Sequence, residues 1–167
     1  MIIERVDSGA IGASVNDVFR IFWDARQWPQ LTSHVTKVDM LEEHEGYQRY
    51  AMYVHVDGKD YALETQRISV APKCICFQQP KPPVFMRSHA GLWTFEEGLS
   101  ATTVTVHHRI NADEQKAIEV LGVKSTEEAR QKIQANLHKN GMAMIDSVGQ
   151  FLLEQQEDKL QSAGMAK

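Results

Sequence analysis

Residues 125–159 read STEEARQKIQANLHKNGMAMIDSVGQFLLEQQEDK. Ser125 or Thr126 can cap a helix whose first turn carries Glu127 and Glu128, where the helix dipole favours anions. Behind that cap, Ile133, Leu137, Gly141, Met144, Val148, Phe151, Leu152 and Gln155 fall on one stripe. The spacing predicts one long amphipathic helix running to about Lys159, with residues 161–167 a frayed tail. Such a stripe needs an apolar face to lie against.

The preceding residues supply that face. From His34 to about Ile110 the apolar pattern has a period of two. It predicts strands over 35–43, 47–57, 59–70, 73–79, 86–96 and 101–111. Asp57-Gly58 is a favoured tight-hairpin pair. Pro80, Pro82 and Pro83 predict a stiff loop outside any ladder. Upstream, residues 3–13 form a first strand, and Ser14 caps a helix with Val15, Val18, Phe19 and Phe22 at helical spacing. That helix ends near Trp23 or Asp24, a short turn follows at 25–27, and Trp28-Pro29 interrupts it, since a residue before proline avoids the helical region. Residues 113–121 form a further short helix closed by Gly122.

The expected fold is α+β: one domain over residues 1–160, with a curved seven-stranded antiparallel sheet wrapped around the long C-terminal helix and short helices after the first strand. Where helix and sheet diverge, a cavity opens that suits a small hydrophobic molecule.

Composition narrows the function classes. Hydrophobic residues at 43% and charged residues at 24% are the balance of a soluble globule. A net charge of −4, with no basic run longer than two residues, argues against a nucleic-acid partner. There is no apolar run of membrane-spanning length and no signal-peptide pattern, so a cytoplasmic, non-membrane protein is expected. Cys74 and Cys76, two apart on one strand, are read as reduced thiols on one face. The seven histidines show no metal-ligand spacing, so neither a metal nor a cofactor is expected. No nucleophile elbow, glycine-rich phosphate loop or zincin motif is present.

Polar groups that interrupt the inward pattern are the candidate site. Tyr61, Leu63, Thr65, Arg67 and Ser69 share one strand face, so Arg67 either enters the cavity or lies on a solvated edge. Val104, Val106, His108 and Ile110 share another, which makes His108 either a satisfied core group or an acid/base, while His107 faces solvent. His89, Gly91, Trp93 and Phe95 share a third, where Gly91 marks a bend or a close approach. Asn140 lies near the helical stripe, between Leu137 and Met144, where its amide can bond a ligand or a neighbour, whereas Asp146 falls off it.

This order of elements resembles the START/Bet v1-like helix-grip superfamily, and within it the single-domain aromatase/cyclases of type II polyketide pathways. The resemblance is carried by Ala13-Ser14-Val15-Asn16-Asp17-Val18-Phe19, by Trp28-Pro29-Gln30-Leu31, and by Val38-Asp39-Met40-Leu41-Glu42-Glu43. Thr65-Gln66-Arg67, Gly91-Leu92-Trp93, Val106-His107-His108 and Lys139-Asn140-Gly141 extend it over roughly residues 2–155. It implies an enzyme that takes a poly-β-ketone from an acyl carrier protein, alongside other synthase components, and directs a regiospecific aldol cyclisation and dehydration to an aromatic ring. Arg67 matches the family's pocket arginine and is implied to polarise ketone or enolate oxygens, which favours its inward orientation. His108 matches a proposed acid/base histidine, and Asn140 an asparagine that holds the chain or a water. Trp28, Tyr50, Tyr53, Trp93 and Met144 are expected as substrate-binding walls. Val35 and Met144 stand where some members carry a tyrosine and an aspartate, so a mechanism built on those two groups does not transfer. The alternative is a non-catalytic carrier of a lipid, quinone or similar molecule. Polyketide length, ketoreduction state, the carbons joined and the oligomeric state are not encoded in these patterns.

Overall fold

A computed structural model describes residues 1–56 and 58–164, without the side chains of Val56, Ala163 and Gly164. Seven strands form one antiparallel sheet: β1 (Ile2–Ile11), β2 (Val35–His44), β3 (Tyr47–Val56), β4 (Lys59–Val70), β5 (Cys74–Lys81), β6 (Met86–Glu97) and β7 (Thr102–Ala112). Their spatial order is β1-β7-β6-β5-β4-β3-β2, a meander from β2 to β7 completed by β1 beside β7. The expected hairpin residue Asp57 lies outside the described residues.

Helix α1 (Val15–Trp23) starts where Ser14 Oγ accepts the Asp17 amide at 3.2 Å. Its buried face, Val15, Val18, Phe19, Ile21 and Phe22, packs on Trp93 and Phe95 and closes one end of the sheet. A 3₁₀ turn (Ala25–Gln27) leads straight into α2 (Trp28–Leu31). Trp28-Pro29 therefore begins a helix and does not interrupt one. Trp28 is helical (φ −57, ψ −36), and Pro29 sits in the first turn, where its missing N–H has no intrahelical partner to lose. Pro80 likewise lies within β5: the register jumps from Gln66↔Gln78 to Glu64↔Lys81, and a bulge admits the proline.

After α3 (Glu114–Leu121), Ser125 caps α4 (Thr126–Gly164) by accepting the Glu128 amide at 3.1 Å. The helix runs past Lys159 to Gly164, through four residues of the expected frayed tail; residues 165–167 lie outside the described chain. It packs most extensively on β1. Gly9 permits this: a Cβ there would lie 2.9 Å from Ile145 Cγ2. Helix and sheet meet at β1 and β7 and part over β3–β5, and the gap between them is a cavity.

Candidate functional site

The cavity measures about 280 Å³ and is walled by α4 on one side and the inward faces of β3–β7 on the other. Its apolar lining includes Met52, Val54, Leu63, Ile75, Trp93 and Met144. The polar groups gather in two clusters.

The first surrounds Arg67, which is 3% exposed. Its Nη1 donates to Phe22 O at 2.9 Å and its Nη2 to Trp23 O. Both carbonyls belong to the last turn of α1, which leaves carbonyls without intrahelical donors and concentrates the negative end of the helix dipole. Nε donates to Gln48 Oε1 at 2.9 Å, and Nη2 shares that acceptor. Gln48 is in turn held by Glu43 (2.7 Å), which pairs with Arg26 (2.7 Å). The rings of Trp23, Trp28 and Tyr50 stand 4.8, 4.9 and 5.0 Å from the guanidinium carbon. A planar, weakly hydrated cation suits such a cage. Burial works against the charge, opposed by Tyr50 and by the fields of Asp24 and Glu43, and the guanidinium stays protonated. Four of its five N–H donors are thus used, which leaves one Nη1–H.

Beside it, Trp28 Nε1 and Thr65 Oγ1 are buried without a well-formed hydrogen bond. Both residues line the cavity, as does Tyr50, the cross-strand partner of Thr65. Burial pushes the Tyr50 hydroxyl above the ordinary phenol range, so it remains a neutral donor.

The second cluster is a histidine pair. His89 on β6 and His108 on β7 approach through Nε2 and Nδ1 at 3.0 Å, and His89 Nδ1 lies 2.8 Å from Gln79 Oε1. Burial lowers His89 to about 3 and His108 to about 4, so both rings are neutral at physiological pH. Phe77 meets each ring edge-on, with centroids 5.6 Å apart in both cases. Gly91 leaves the space for this: a Cβ there would lie 2.4 Å from both Phe77 Cζ and His107 O.

The structure therefore gathers Arg67, His108, Asn140, Trp28, Tyr50, Trp93 and Met144 around one cavity. Tyr53 is the exception. Tyr50, Met52 and Val54 point inward, and Tyr53, an odd number of residues from each, points out; it is 38% exposed with Lys37 Nζ 5.5 Å from its ring centroid. Gln48, Thr65, Gln79 and His89 were not among the expected site residues. Gln48 was legible by parity, two residues before Tyr50 on the same face. Cys74 and Cys76 are free, and Cys76 is exposed. Among the described residues, no group of three or more His, Cys, Asp or Glu is placed to hold a metal, and no helix is long and apolar enough to cross a membrane.

Residues 11–138 match the family described as polyketide cyclase / dehydrase and lipid transport. The granaticin polyketide synthase bifunctional cyclase/dehydratase of Streptomyces violaceoruber is 24% identical over 148 residues, covering 87% of this chain and 46% of that protein. The corresponding actinorhodin protein of Streptomyces coelicolor is 29% identical over 153 residues, covering 84% and 45%. The chain thus spans about half the length of the curated relatives it matches. Among solved structures, the di-domain aromatase/cyclase BexL from the BE-7585A biosynthetic pathway superimposes with a TM-score of 0.83 at 26% identity, covering 89% of this chain and 49% of that one. The Zhui aromatase/cyclase from Streptomyces sp. R1128 shares the helix-grip fold, with a TM-score of 0.80 at 21% identity over 98% of this chain and 99% of that one.

Proposed function

We propose that this chain, which belongs to the polyketide cyclase / dehydrase and lipid transport family, is an aromatase/cyclase that folds a carrier-bound poly-β-ketone in its cavity and closes and aromatises a ring. One observation carries this reading: two buried polar atoms on the cavity wall are left incompletely satisfied, Trp28 Nε1, which has no partner, and Thr65 Oγ1, whose contact with the Tyr50 hydroxyl is not a well-formed hydrogen bond. Leaving such atoms unpaired costs about 1–3 kcal/mol each. A lipid chain would leave them so. A ligand with oxygen atoms repeated along an apolar chain satisfies them.

The chemistry divides between the two clusters. Trp28 Nε1–H, Thr65 Oγ1–H and the remaining Arg67 Nη1–H hold ketone oxygens and stabilise the charge that develops on them. His108, neutral at rest, accepts a proton from a methylene flanked by two ketones. The C–H electron pair becomes an enolate, which attacks a second carbonyl and forms the ring C–C bond. The resulting alkoxide takes that proton back from the His108 imidazolium. Loss of a further ring proton with departure of the hydroxyl as water forms one ring C=C, and enolisation of the remaining ring ketones completes the aromatic ring. Asn140 and the walls of Trp93 and Met144 restrict the chain to one folding, which lowers the barrier for one ring and excludes others.

An acyl carrier protein is the proposed partner. Lys59 and Lys132, both on the cavity lining, donate to Val120 O (3.1 Å) and Leu121 O (3.2 Å) and keep further ammonium donors for the phosphate of a carrier's pantetheine arm.

Binding of non-hydrolysable analogues on a pantetheine arm tests the reading. An oxygenated poly-β-ketone mimic is expected to bind at least about tenfold more tightly than an alkyl chain of equal length. Equal or tighter binding of the alkyl chain would favour a lipid carrier instead.

A further inference from the structure

The hydrogen-bond direction along the histidine pair follows from its far end. Gln79 Oε1 can only accept, so the nitrogen facing it, His89 Nδ1, carries the proton. A neutral imidazole has one N–H, so His89 Nε2 is an acceptor. The atom facing it, His108 Nδ1, must then donate. That leaves His108 Nε2 unprotonated, and it has no partner among the described residues although His108 lines the cavity. Asp7 on the adjoining strand, whose charge acts on His108, has its carboxylate engaged by Arg5 (2.9 Å) and His138 (2.6 Å).

We propose that Gln79 and His89 are positioning residues that lock His108 as its Nδ1–H tautomer, so that an unprotonated Nε2 faces the bound chain as the proton acceptor. The proposal rests on the cyclase reading and adds to it the groups that make His108 a base. An ordinary neutral histidine is free to carry its proton on Nε2, where it would offer the chain a donor and no acceptor. Here the nearby ring fixes the choice, as the third group of a catalytic triad orients its base. Packing holds the geometry. His89 and His108 are diagonal neighbours on adjacent strands, since His108 is paired with Gly91 and His89 with Ile110. Phe77, opposite Gly91 on β5, wedges edge-on against both rings in the space where a larger residue would carry its Cβ.

The tautomer can be read without turnover. Long-range proton–nitrogen correlation spectra of the 15N-labelled full chain near pH 7.5 report which nitrogen of each imidazole is protonated, with His108 signals identified by their loss in His108→Ala. The wild type is expected to show His108 protonated on Nδ1. Gln79→Leu should shift the His108 proton toward Nε2 and slow ring closure, in a reconstitution supplying a carrier-bound poly-β-ketone, at least about tenfold. Gln79→Glu, which still accepts from His89 Nδ1–H, should keep the Nδ1–H tautomer and recover most of the lost rate. Thermal unfolding of each variant separates these effects from loss of fold. Wild-type His108 protonated on Nε2 would overturn the proposal, as would a Gln79→Leu protein that changes tautomer with no change in rate. A wild type with the expected tautomer that closes no ring would overturn the cyclase reading, and with it the catalytic role of the lock, while leaving the lock itself standing.

Discussion

Arg67 and His108 stand in one transverse row of the sheet and face the same cavity. The row runs Arg67↔Phe77↔Gly91↔His108 across β4, β5, β6 and β7. At the usual strand spacing the two Cα atoms are about 14 Å apart along the sheet. An oxygen bound at the Arg67 end therefore leaves a stretch of chain to lie over Phe77 before a methylene reaches His108. In the proposed mechanism oxygen binding and proton transfer are thus separate tasks at opposite ends of one chamber, and substitutions at the two ends should separate them.

Thr65→Val removes the hydroxyl while keeping the shape of the side chain. In the empty protein that hydroxyl has no well-formed bond to lose, so urea unfolding should show stability unchanged or raised by up to about 1 kcal/mol. Binding of the oxygenated chain mimic should weaken by several-fold at the same time. A clear loss of stability without loss of binding would make Thr65 a structural residue.

Arg67 does more than line the cavity. It ties the last turn of α1 to β4 and to Gln48 of β3. Arg67→Ala strands the carbonyls of Phe22 and Trp23 and the Gln48 amide oxygen, and is expected to destabilise by about 3 kcal/mol or more in urea unfolding. Stability and ring formation should therefore fall together in Arg67→Ala. Arg67→Lys keeps a charge but cannot fill the same fork, so most of that loss should persist.

Acid should unfold the protein through the histidine pair. The folded state holds His108 near 4 and His89 near 3, while an unfolded histidine titrates near 6.5. As pH falls below about 6.5, the unfolded chain binds protons the native state refuses. The stability contributed by the neutral pair is complete above that pH and lost progressively down to about pH 4 for His108 and 3 for His89. The slope reaches about 1.4 kcal/mol per pH unit for each histidine. His89→Leu should make the curve shallower between pH 6 and 4, where His108 and the buried His34 still contribute; unfolding curves equally steep with and without His89 would contradict this.

Much of the architecture was legible because burial alternates cleanly. Val104, Val106 and Ile110 are fully buried while Thr103 and His107 are exposed, and a period-two pattern says this directly. The end of α4 was not. Beyond Leu152 its residues are largely exposed, so no apolar stripe marks how far the helix runs. Proline's usual prohibitions mislead at Pro80 and Pro29, because each occupies a position that waives them: a bulge and a first helical turn. In the site, an inward Arg67 was visible as a charge on a mixed face, but its partners were not. They are main-chain carbonyls of Phe22 and Trp23, and a carbonyl has no letter in the sequence. Tyr53 failed on parity alone, since it cannot share a strand face with Tyr50. The His89–His108 bond joins residues on two strands, and its direction is set by Gln79 on a third.

Whether the cavity directs ring closure shows in the products formed. The most direct measurement is product analysis after reconstitution with a minimal ketosynthase and its acyl carrier protein, with and without this chain. Adding the protein is expected to replace a mixture of spontaneous cyclisation products with one dominant aromatic first-ring product, and His108→Ala to return the mixture. An identical product distribution with and without the wild-type protein would contradict this.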